Sequence, residues 1–172
     1  MTFVCTLAEG EFHPDVHSRG EGDYLVIIPI GYDDADELYY SLWVMLGPTG
    51  GGMLELRFFI YVEDGNGKEI DQIWQSERAR YLFDADARRL ILMNVLFSVR
   101  SLLEVVKPVA VFMCTMDLDP GERALRKYVG IARTFEMCGY KIAKFDRYEH
   151  QCVWCMERIA EIDVDTTRHD VS

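Results

Sequence analysis

The sequence predicts a mixed α+β fold, three-layer-like in arrangement, and three observations carry that reading. Residues 24–74 fall into apolar or alternating runs of strand length, broken by glycine-rich turns. Residues 84–106 then repeat apolar side chains at helical spacing, with Ile91, Val95, Val99, Leu102 and Val106 on one stripe. Finally, VAVFMCTM (109–116) is a continuous apolar run, the pattern of a strand buried on both faces.

Taken in chain order, residues 1–23 are polar and glycine-rich, and read as a loosely packed arm. His13 and His17 lie four apart, a metal-site spacing on a helix, but Pro14, Gly20 and Gly22 argue against a helix, leaving surface histidines. YLVIIPI (24–30) is a strand rich in β-branched residues, closed by Gly31 and an acidic turn. ELYYSLWVML (37–46) fits either period, and the GPTGGG turn (47–52) before MLELRFFIYVED (53–64) favours a hairpin. DGNGK (64–68) turns the chain into EIDQIW, completing an antiparallel meander of about four strands.

Leu92, Leu96 and Leu103 widen the stripe of the helix that follows, so it should be covered on more than one side and cross the sheet near its centre. Pro108 ends it, because proline lacks an N–H and restricts Lys107. After the buried strand, Asp119, Pro120 and Glu122 predict a capped helix start worth about 1 kcal/mol. Leu125, Tyr128, Val129, Ala132 and Phe135 or Glu136 trace its inner edge, and Gly139 suits the left-handed residue that ends it. KIAKFDRYEHQCVWCMERI (141–159) gives two strands or one long bent strand, and residues 160–172 read as a frayed tail. One domain with a core over residues 24–159 accounts for the whole chain.

Composition narrows the function. The 172 residues carry 29 acidic and 18 basic side chains, a net charge of −11, which opposes binding to nucleic-acid phosphates. No run of 18 or more apolar residues exists, so no membrane span is expected. The acidic N-terminus lacks a secretion signal, and five cysteines make an odd count; both fit reduced thiols in the cytoplasm. QCVWC (151–155) spaces Cys152 and Cys155 as zinc or redox pairs are spaced. In a strand these two point to opposite faces, with no further ligand pair, so a structural role and no metal are expected. Read as a short helix, VWCMERIAEI would make the pair of more interest.

The element order, together with FEMCGYKI (135–142), resembles the GCN5-related N-acetyltransferase (GNAT) family, whose fourth helix commonly ends in YEKxGF. The coarse similarity spans residues 24–158. It implies a cleft between two splayed parallel strands, where the family holds acetyl-CoA with its pyrophosphate on a Q/R-x-x-G-x-G/A loop at a helix start. Here that place reads QSERARYLFDADARR (75–89), with no glycine between Gly67 and Gly121 and with Arg78 and Arg80 where glycines would stand. Phe135 occupies the position of the family's acid tyrosine, and Tyr128 and Ile131 replace its Asn-and-Ala pattern. In these departures GERALRKYVGIARTFEMCGY (121–140) is similar to GNAT-like proteins of phages and prophages.

Two functions are therefore expected. The first is a degenerate, non-catalytic protein-interaction module, binding a protein partner or a second copy through meander aromatics: Tyr39, Tyr40, Trp43, Phe58, Phe59, Tyr61 and Trp74. The alternative is an acetyl-CoA-dependent N-acyltransferase acting on a cationic amine. In it Arg78, Arg80, Arg88 and Arg89 would hold phosphates and Glu55, Glu63 or Asp71 would serve as base.

Overall fold

The computed structural model describes residues 3–10, 13–49, 51–116, 119–148 and 150–160. Among them, nine strands form one mostly antiparallel sheet and three helices pack on it. The strands are β1 (Phe3–Cys5), β2 (His17–Gly20), β3 (Asp23–Asp33), β4 (Leu38–Pro48), β5 (Leu54–Asp64), β6 (Glu69–Ile73), β7 (Ala110–Cys114), β8 (Tyr140–Tyr148) and β9 (Gln151–Arg158). The helices are α1 (Ser76–Leu82), α2 (Ala85–Val106) and α3 (Glu122–Met137). No helix among the described residues is long and apolar enough to cross a membrane.

The sheet runs β1-β3-β4-β5-β7-β9-β8, with β2 also on β3 and β6 also on β5. Register shifts interrupt the β3–β4 pairing between Pro29 and Gly31 and the β5–β6 pairing between Val62 and Glu63; away from them, Trp43 stands opposite Ile27 on one side and Phe59 on the other. Alternation then sorts the side chains. Val26, Ile28, Ile30, Tyr40, Leu42, Val44, Leu46, Leu56, Ile60 and Val62 enter the main core, as do Val111, Met113, Trp154 and Met156. The buried residues of α2 and α3 join that same core, and α1 packs Ala79 and Leu82 against it. Tyr128 of α3 stacks on Trp154 at 5.3 Å and approaches Phe58 at 6.0 Å. All three helices therefore lie on one face of the sheet.

This corrects the three-layer expectation: the described residues form two layers. It also corrects the strand 109–116, since β7 alternates between buried and half-buried positions. Val111 and Met113 face the helices, while Phe112 and Cys114 face the other way, where no described helix covers them. The helix after β7 starts later than its sequence signal. Gly121 is the residue before its first turn and no side chain caps it. Asp119 is held elsewhere: its N–H donates to the His150 carbonyl at 2.8 Å, and its carboxylate meets His150 Nδ1 at 3.0 Å.

Residues 3–5 and 17–20, within the expected loose arm, pair with β3. Gly31 permits this, since a Cβ there would collide with the Val4 carbonyl and the Phe3 ring. Phe3 then closes an edge-to-face cluster with Phe83 at 4.6 Å and Tyr40 at 5.3 Å. Other boundaries match the sequence. Helix α2 ends on Lys107 before Pro108, and Gly139 follows α3 at φ 85°. Residues 141–159 hold two strands, not one. Of the expected tail, 161–172 lie outside the described residues.

Candidate functional site

Two features of the sheet can bind something: a cleft in its middle and the face that no described helix covers. The cleft comes from a change of partner along β5. Its start pairs in parallel with β7 at Leu54–Val111 and Glu55–Phe112, and its far half pairs with β6 from Ile60 onward. Between them, residues 56–59 have no strand on that side among the registered pairs. A cleft of about 250 Å³ fills the gap, lined by apolar groups including Phe58, Ile60, Ile73, Phe83, Ile91 and Val95. Arg80, Arg88 and Lys127 add positive charge to its wall.

The helix start beside this cleft is already occupied by negative charge. Asp84 precedes α2 and its carboxylate accepts the Ala87 N–H at 2.7 Å, with Asp86 in the first turn. The exposed backbone donors and positive dipole end that would attract a phosphate thus meet the chain's own carboxylates. The segment 75–83, where a glycine loop would be required, is the short helix α1 instead.

The expected phosphate ligands are mostly engaged. Arg78 pairs with Asp71, Arg89 with Glu9, and Arg88 donates to the Phe83 carbonyl. Arg80 is exposed and lines the cleft. The candidate bases do not converge on it either. The Arg78 guanidinium lowers the pKa of the Asp71 carboxyl, against a weaker raising effect of burial. Glu55 lies 3.5 Å from Arg57, and neither Glu55, Glu63 nor Asp71 lines the cleft. Phe135 is 0% exposed, packed edge-on against Tyr140 at 5.4 Å and outside the cleft lining. Tyr128 is equally buried, its hydroxyl accepting the Met116 N–H at 3.2 Å.

The cysteine pair lies as a strand dictates: Cys152 is buried on the helix side and Cys155 is half-buried on the other. Burial raises the pKa of the Cys114, Cys138 and Cys155 thiols, which disfavours the nucleophilic thiolate. His13 and His17 are exposed, and no group of three or more potential metal ligands forms among the described residues.

The uncovered face carries the aromatic residues that point away from the core. Trp43 stacks on Tyr61 at 4.9 Å and touches Phe59 at 5.8 Å, and Phe59 stacks on Trp74 at 4.2 Å. The four rings form a continuous ladder over β4, β5 and the end of β6. Leu25, Met45 and Phe59 are buried at the centre of this second cluster, 4%, 9% and 6% exposed, with Trp43, Tyr61 and Trp74 half-buried around them, and no described helical residue belongs to it. Ile27 and Tyr39, 41% and 51% exposed, extend the surface on the same face. Both indole N–H groups are satisfied locally, Trp43 by Ser41 Oγ at 3.0 Å and Trp74 by Gln72 Oε1 at 3.2 Å.

The sequence named Trp43, Phe59, Tyr61 and Trp74 among the meander aromatics, and register alone separates them from Tyr40 and Phe58, which face the helices. Phe59 and Trp74 belong to the ladder and also line the cleft, so the two features adjoin. The chain matches no protein-family model, no curated protein and no solved structure.

Proposed function

We propose that the chain is a degenerate, non-catalytic GNAT-like binding module whose working surface is the uncovered sheet face. The observation that carries this reading is the ladder Tyr61–Trp43–Phe59–Trp74 on a face without a helix. The half-buried rings of Trp43, Tyr61 and Trp74, with the exposed Ile27 and Tyr39 on the same face, favour association, because burial against a partner removes their remaining apolar area from water.

The element order and the split between β5 and β7 support the likeness to the GNAT fold. The self-capped start of α2 and the engaged arginines argue against acetyl-CoA in that split. The apolar cleft with Arg80 on its wall is the observation that favours the second reading, an N-acyltransferase acting on a cationic amine.

Titrating acetyl-CoA while following thermal unfolding separates the two. A micromolar site at a hundredfold or greater ligand excess would stabilise the fold by roughly 3–4 kcal/mol. No shift is expected. A rise in melting temperature that Arg80→Ala abolishes would restore the acyltransferase reading.

A further inference from the structure

We infer that the ladder face receives a basic segment of a protein partner and not a second copy of this chain; the inference rests on the binding-module reading above. Three observations point the same way. The first is where the charges stand. Register places the β3–β4 and β5–β6 turns at one end of the meander, with Asp33 opposite Leu38, Leu38 opposite Asp64 and Tyr39 opposite Glu63. Asp34, Asp36 and Glu37 lie in the first turn and Glu69 just beyond the second. Partial desolvation and then the carboxylates of Glu69 and Glu63 raise the Tyr61 phenol pKa, so negative charge reaches the last ring of the ladder.

The second observation is the chemistry the rings have left. Ser41 and Gln72 take both indole N–H groups, and the rings stack along the ladder, so the ring faces not covered by a ladder neighbour are those at its two ends, on Tyr61 and Trp74. Ring faces attract cations, guanidinium above all. A partner carrying arginine or lysine among apolar residues meets rings first and carboxylates at the Tyr61 end.

The third is net charge. A symmetric dimer through this face would press like patches together, each on a chain of charge −11. Repulsion between facing carboxylates opposes that pairing and favours a cationic occupant.

The test uses the full chain and a synthetic peptide of four Gly-Arg-Ser repeats, with four Gly-Glu-Ser repeats as control. Binding is read by tryptophan fluorescence, since Trp43 and Trp74 lie on the face while Trp154 is sealed at 2% exposure. The arginine peptide is expected to bind and the glutamate peptide not. Trp43→Ala and Trp74→Ala should each weaken binding about fivefold or more, as lost aromatic anchors do. Glu63→Gln with Glu69→Gln should weaken it about threefold and flatten its dependence on salt between about 50 and 300 mM. Trp43→Phe, which keeps a ring, should bind close to the parent and guards against loss through misfolding.

No binding of the arginine peptide overturns the inference. Binding weakened by the aromatic changes but indifferent to the glutamine changes and to salt removes the basic class and keeps the face. Binding unchanged in Trp43→Ala and Trp74→Ala removes the face itself. A dimer by light scattering that Trp43→Ala dissociates makes the occupant a second copy, against the inference.

Discussion

On one side of the sheet Trp154 lies under α3, stacked on Tyr128 and 2% exposed; on the other Trp43 lies against Tyr61 with no helix above it. Both are strand tryptophans with a stacked aromatic neighbour, and both sit in strands rich in apolar residues. What differs is the layer above them. The helix side is a core, in which rings are held from every direction and stability is stored. The other side carries the same kinds of residue with no described helix above them: Phe59 is buried among its neighbours, while Trp43, Tyr61 and Trp74 stay half-buried and keep part of their apolar surface in water. Aromatic content alone does not distinguish a core from a docking face; the presence of a second layer does.

Trp154→Ala should give the largest effect, about 3–5 kcal/mol of lost stability in urea unfolding, because it opens a cavity in a packed interior. Trp43→Ala should cost about 1–2 kcal/mol in the same measurement, from one stacking partner and a half-buried ring. Equal losses at the two sites would end the comparison. Phe135→Tyr places a hydroxyl inside the core, where Phe135 is 0% exposed. It should cost roughly 1–3 kcal/mol if the hydroxyl goes unpaired, and it should not create acetyl transfer in a coupled thiol-release assay.

Asp84→Ala removes the carboxylate from the start of α2 and should cost about 1 kcal/mol, visible as a lower urea midpoint. The smallest effect belongs to Asp71→Asn. The Asp71–Arg78 pair is a third to a half exposed, so its loss should change stability by less than about 1 kcal/mol at neutral pH. Arg78 lowers the folded-state pKa of Asp71 from 3.8, so the contribution exists above the unfolded value and disappears as pH falls through the folded one. Parallel acid-unfolding curves of parent and variant should therefore converge at the acid end.

Much of this fold was legible because period and punctuation are local. The meander, the helix ended by Pro108 and the turn at Gly139 each follow from residues within a few positions of one another. The misses share a cause: they depend on what lies across space. VAVFMCTM is apolar at every position, and a run of that kind implies two covers when one of its faces is in fact a surface. Asp119 has the side chain of a cap, but His150, thirty-one residues later, holds it away from the helix. β1 is too short, and β2 too short and polar, to announce itself, and both form because β3 offers an edge to pair with. At the site, the ring types were readable and their grouping was not, since Trp43 and Phe59 meet only through register.

Among the described residues, the meander and the β7-β9-β8 portion join in parallel at Leu54–Val111 and Glu55–Phe112, and one core on the helix side runs across both. Val111 belongs to both that seam and that core, so truncating it loosens the two halves together.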